Sequence, residues 1–178
     1  MLRSTMVRHA FTVVELLITI TIMGILLTLV VVNVNSSQMS ARDSERKSDI
    51  EAIAVALETY RDTNNQSSGV VDSGLGYYPP TTYISNDTTF KAILPDLDPK
   101  LARAPGVDVS SAKSLVVATN PTQTTNGVAP TPTINTYIYQ PITASNALCN
   151  STVICRKFNL YYVTETDGVV HIVTSHSQ

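Results

Sequence analysis

Chemistry-bearing residues are scarce in this chain of 178 residues. It has two cysteines, three histidines and seven glycines, and only 15% of its residues are charged. Cys149 and Cys155 have five residues between them, and no second pair exists to complete a tetrahedral zinc site. His9 lies near the start, His176 near the end and His171 in a strand-like segment, so no nucleophile–base set is readable. The glycine cluster Gly69, Gly74 and Gly76 lacks the spacing of a phosphate or dinucleotide loop. Net charge is −2, and the missing basic excess weighs against nucleic acid as the principal partner. These absences argue against an enzyme and call for no cofactor and no resident metal.

What the chain has instead is one long apolar run. From Leu16 to Ala41 there is no Asp, Glu, Lys or Arg. A bilayer core of about 30 Å is crossed by about 20 helical residues, so the run can span. Arg3, Arg8 and His9 precede it without any acid, which places the N-terminus in the cytoplasm by the positive-inside rule. An ordinary signal peptide has a shorter core, about 7–15 residues, followed by small residues at the cut. Here Asn33–Ser37 makes a poor cleavage site, and the natural cut lies before the run, between Ala10 and Phe11. One carboxylate, Glu15, stands at the edge of the span. It would cost about 2.5–3.5 kcal/mol at the bilayer centre, so it calls for a partner. Snorkelling to the headgroups is the bland alternative.

Ala10-Phe11-Thr12-Val13-Val14-Glu15-Leu16-Leu17 resembles the class III signal of type IV prepilins and of the pseudopilins of type II secretion. The likeness extends through Ile20, Ile22, Gly24 and Ile25, and two departures stand out. Ala10 replaces the usual glycine at the cleavage position, and Val32 stands where many pilins have a helix-loosening proline. The resemblance implies cleavage by a prepilin peptidase between Ala10 and Phe11, with N-methylation of Phe11. It also implies that Glu15 pairs with the Phe11 amine of a neighbouring subunit during assembly. Two groups that are costly to leave unpaired in lipid become tolerable once they meet. The partners implied are other copies of the chain, the peptidase, the membrane and the inner-membrane assembly machinery. The product would be a type IV pilus or a secretion pseudopilus, extracellular or periplasmic, with adhesion among the roles open to it. A single-pass sensor or binding protein with an ordinary anchor is the reading from a different class.

The division expected is a leader at 1–10, a transmembrane or filament-core helix at 11–35, an amphipathic continuation at 36–62 and a globular domain at 63–178. Ile50, Ile53, Leu57 and Tyr60 recur at helical spacing and form one apolar stripe. Asp43 with Lys47, and Glu58 with Arg61, are spaced to pair along the polar face. Arg42, Asp43 and Arg46 form an Arg-Asp-x-x-Arg segment that also resembles pilins and pseudopilins. Inter-subunit salt bridges and a merely solvated helix face are both open readings of it. The 63–69 segment, rich in Asn and Ser, ends the helix.

All nine prolines fall between Pro79 and Pro141, and Pro121–Pro132 reads as an exposed loop. A short helix is expected at 89–94, stopped by Pro95, and a short strand at 114–118. Residues 136–140 alternate like a strand, and 156–164 with 169–174 form a hairpin around Asp167-Gly168. The fold class expected is α+β and pilin-like, a long helix packed on a small antiparallel C-terminal sheet of three strands. A Cys149–Cys155 disulfide is the leading reading if the domain lies outside the cytoplasm, with two buried free thiols as the alternative. Glu165 and Asp167 suggest either a calcium site or, several times more readily, a solvated turn.

Overall fold

The computed structural model describes residues 11–63, 77–108, 110–150 and 153–176. The leader, with Ala10, and the expected helix terminator after Thr63 lie outside them. Helix α1 runs uninterrupted over Val13–Thr63. The chain divides into two compact units, residues 1–38 and 39–178.

In the first unit α1 is long and apolar enough to cross a membrane, and none of its apolar window is buried within the chain. Thr19, Thr21 and Thr28 donate their hydroxyls to carbonyls one turn back, from Thr21 to Leu17 O and Ile18 O at 3.0 and 2.8 Å. Their polar atoms are thereby satisfied inside the helix, as an apolar surrounding requires.

The second unit is α+β. Two short helices, α2 (Thr81–Ser85) and α3 (Asp87–Ile93), precede strands β1 (Leu115–Val117), β2 (Tyr137–Ile142), β3 (Lys157–Val163) and β4 (Val170–Thr174). The sheet has four strands in the order β1-β2-β3-β4 and is mixed rather than antiparallel. β2–β3 and β3–β4 pair antiparallel, whereas β1 joins β2 in parallel, Leu115 facing Tyr137. The physical reason is the connection: a parallel neighbour needs a long crossover, and residues 118–136 supply it. Helix α3 starts two residues before the expected span, because the Asn86 side chain caps it by accepting from the N–H of Thr88 and Thr89.

Strand alternation sorts the sheet into two covered faces. Tyr137, Tyr139, Phe158, Leu160 and Tyr162 pack in one cluster with Ile50, Ile53 and Leu57 of α1, all three wholly buried. Each such aliphatic side chain contributes about 1.5–3 kcal/mol on burial. The opposite face presents Ile138 and Tyr161, which meet Ala118 and Val128 from the crossover. The Thr/Asn/Pro tract is therefore more than an exposed loop: its tip is exposed, but Val128 and Pro132 are buried. A buried amide fastens it. Gln140 Nε2 donates to the carbonyls of Asn120 and Thr122 at 2.9 and 3.0 Å, and Gln140 Oε1 accepts from Asn159 and Tyr161.

Candidate functional site

The first candidate surface is the start of α1. Thr12 stands before the helix and its hydroxyl accepts from the N–H of Glu15 at 3.2 Å. Thr12-Val-Val-Glu15 is thus a Ser/Thr-x-x-Glu capping pattern, a signal present in the sequence that membrane cost alone does not reveal. It gives Glu15 a local role, since a carboxylate in the first turn also faces the positive end of the helix dipole. Glu15 nevertheless remains exposed, and Phe11 is 78% exposed. Gly24 has open space around its backbone, so no contact among the described residues demands a glycine there.

The second candidate is a charged collar on the 39–178 unit. Arg42, Asp43 and Arg46 do not lie on a solvated face. Arg42 makes a two-pronged pair with Glu165, Nη2–Oε1 at 2.6 Å and Nε–Oε2 at 2.8 Å. Arg46, 1% exposed, bonds Asp43 at 2.8 Å, Glu165 at 3.2 Å and the Ile134 carbonyl at 3.1 Å. Asp43 in turn accepts from the N–H groups of Glu165 and Thr166 at 2.6 and 2.9 Å, and from the Thr166 hydroxyl. Two arginines and two carboxylates thus fasten the β3–β4 turn to the helix. All of these contacts are within one chain.

This geometry corrects two expectations. Asp43 does not pair with Lys47, because the hairpin turn takes both its oxygens; Lys47 lies instead 4.0 Å from Glu51. Glu58 does pair with Arg61, at 3.8 Å, and also accepts from Tyr78 Oη at 2.7 Å and His176 N at 2.9 Å. Glu165 is held by Arg42 and Arg46 rather than left in a solvated turn. Asp167 serves its own turn, accepting from Val169 N at 3.0 Å and the Thr164 hydroxyl. Gly168 follows at φ +67°, where an L side chain is strained. Among the described residues no cluster of His, Cys, Asp or Glu could hold a metal ion. His171 is a sheet-surface residue stacked on Tyr162, ring centroids 5.0 Å apart.

Electrostatics separate the carboxylates. Burial pushes Asp43 up, but the N–H groups of Glu165 and Thr166, the Thr166 hydroxyl and Arg46 outweigh it and hold the carboxyl at about 2. Glu165 is lowered chiefly by its bonds from Arg42, then by those from Arg46. Asp49, six residues further along the helix than Asp43, has the opposite fate. It is 6% exposed, accepts a 3.2 Å bond from Tyr137 Oη, and burial raises its carboxyl to about 6. Sequence reasoning missed Arg46 and Asp49 as buried groups. The signal was the stripe itself: four residues back from Ile50 lies Arg46, and Asp49 adjoins it.

Cys149 and Cys155 form a disulfide with Cα atoms 5.5 Å apart. The two half-cystines are strapped to the start of α2 and the residues before it, with Tyr78 N donating to Cys155 O and Thr81 N to Cys149 O at 3.0 and 3.2 Å. No family model, curated protein or solved structure matches this chain.

Proposed function

We propose that this chain is a prepilin-type structural subunit, stored in the cytoplasmic membrane and polymerised into a type IV pilus or pilus-like filament. The observation that carries the reading is the contrast inside α1. Its first part is apolar, exposed and opened by Phe11 and Glu15, after a leader with two arginines and no acid. Its second part is a packed component of an α+β domain. An ordinary anchor accounts for the span and a local cap for Glu15, but neither accounts for a basic leader, a small-Phe junction and that carboxylate occurring together.

In this reading a prepilin peptidase cuts between Ala10 and Phe11 on the cytoplasmic side and methylates the new amine. The amine of one subunit and Glu15 of another are each costly in hydrocarbon and stabilise one another on assembly. The mature side chains, 10 basic and 14 acidic, carry a net of −4. The disulfide favours an oxidising location for the domain, outside the cytoplasm. Because the collar arginines are already engaged by Glu165, their first duty is to hold the domain to its helix.

The test is co-expression with a prepilin peptidase, followed by intact-mass measurement and N-terminal sequencing. The reading expects a chain beginning at N-methyl-Phe11. A chain that keeps its leader in the presence of active peptidase contradicts it and favours the anchored sensor or binding protein. Whether the assembled product is a pilus or a secretion pseudopilus is decided by electron microscopy of cell-surface filaments and by secretion in strains lacking the chain.

A further inference from the structure

The domain has a second charged feature that neither the helix nor the collar uses. Four of the six Lys and Arg residues after α1 fall in the stretch 91–113: Lys91, Lys100, Arg103 and Lys113. Three of them, Lys91, Arg103 and Lys113, line one cleft of about 70 Å³ with Asp87, Phe90 and Ser111.

Within the cleft the charges do not balance. Asp87 is the one carboxylate in its lining, and it bonds Lys113 Nζ at 2.6 Å. The Lys113 side chain is only 14% exposed, with its ammonium 5.0 Å from the Phe90 ring centroid, so it is fixed. The Asp87 side chain is 71% exposed and is the partner free to move. The Asp87 carboxyl is lowered first by its bond from Lys113, and the charges of Lys91 and Arg103 add to the effect, so three cations act on one carboxylate. Arg103 is held only by long bonds to neutral carbonyls, 3.3 Å to Pro99 O and 3.4 Å to Ser111 O. Among the described residues no carboxylate pairs with Lys91 or Arg103. Of the acids in the same stretch, Asp98 accepts from Lys100 N and Asp108 from Ser110, each within its own turn, and none lines the cleft.

We infer that this cleft is an oxyanion site for a single phosphate-class dianion, whose place Asp87 partly fills. Three cations fit a tetrahedral dianion better than one monovalent carboxylate, and charge-assisted bonds are the strong ones. The volume admits one such group and little else, so a phosphate carried on a saccharide would leave its sugar outside.

The experiment uses the full chain in non-ionic detergent at pH 7.5, with ionic strength held constant by chloride. The thermal midpoint, read by near-ultraviolet circular dichroism, is followed against inorganic phosphate and, separately, glucose 1-phosphate. A saturable rise that chloride does not reproduce is expected. A response to both ligands identifies the terminal phosphate group as what is read, and a response to inorganic phosphate alone identifies the free ion. Arg103→Gln should weaken binding about tenfold, as loss of a charge-assisted bond does. Asp87→Asn removes no cation and should tighten binding. The inference is overturned if neither ligand gives a rise beyond chloride, if Arg103→Gln binds as the parent does, or if Asp87→Asn does not bind more tightly.

Discussion

The two parts of α1 teach different lessons about one secondary structure. The apolar window of α1 is unburied among the described residues, whereas Arg46, Asp49, Ile50, Ile53 and Leu57 are buried in the domain. Helix formation is local in both, but stability is not. The first part calls for a surrounding, lipid or other copies of itself, because its apolar window is exposed among the described residues. The second draws its stability from tertiary packing, as most helices in globular proteins do.

Changing Glu15 should break the comparison most sharply, because it separates assembly from folding. Glu15→Ala is expected to abolish filaments while membrane insertion and the thermal midpoint of the domain stay at parental values. Glu15→Gln refines the result, since Gln also suits the third position of a capping box but carries no charge. Failure of both variants, seen by electron microscopy, assigns the effect to charge; rescue by Gln assigns it to the cap.

Arg46→Ala acts on the other part. It leaves Asp43 and Glu165 without their buried cation and should cost about 3–5 kcal/mol in denaturant unfolding, with membrane insertion intact. The paired change Cys149→Ser and Cys155→Ser should cost about 2–3 kcal/mol by the same measurement.

The smallest effect is a pH dependence with two signs. Asp49 has its folded pKa raised to about 6, so its stabilising contribution is full below the unfolded value and is lost as pH rises through 6. Asp43, held at about 2, contributes above the unfolded value and is lost as pH falls towards 2. From these two carboxylates stability should therefore peak near about pH 4 and decline as pH rises towards 6. Asp49→Asn should raise stability at pH 7.5 by about 1–2 kcal/mol and change little at pH 4, measured by urea unfolding at both pH values.

The legible parts of the fold were those in which pattern and burial agree. Ile50, Ile53 and Leu57 announced the packed helix face, and Asp167-Gly168 announced the hairpin turn. Arg46 and Asp49 stayed hidden because a charged side chain on a stripe reads as solvent unless its distant partners, Glu165 and Tyr137, are known. Thr81–Ser85 is rich in residues that favour strands, yet forms α2 directly after Pro79-Pro80, where Ile84 is buried. The parallel placement of β1 was not legible either: three residues, Leu115–Val117, carry no information about which neighbour they pair with.

The most direct measurement is the mass and N-terminal sequence of the chain recovered from membranes that contain a prepilin peptidase. The account predicts loss of residues 1–10 and one added methyl group on the Phe11 amine. An unmodified chain with Arg3 and Arg8 still present would contradict it, and Glu15 would then be explained by its cap alone.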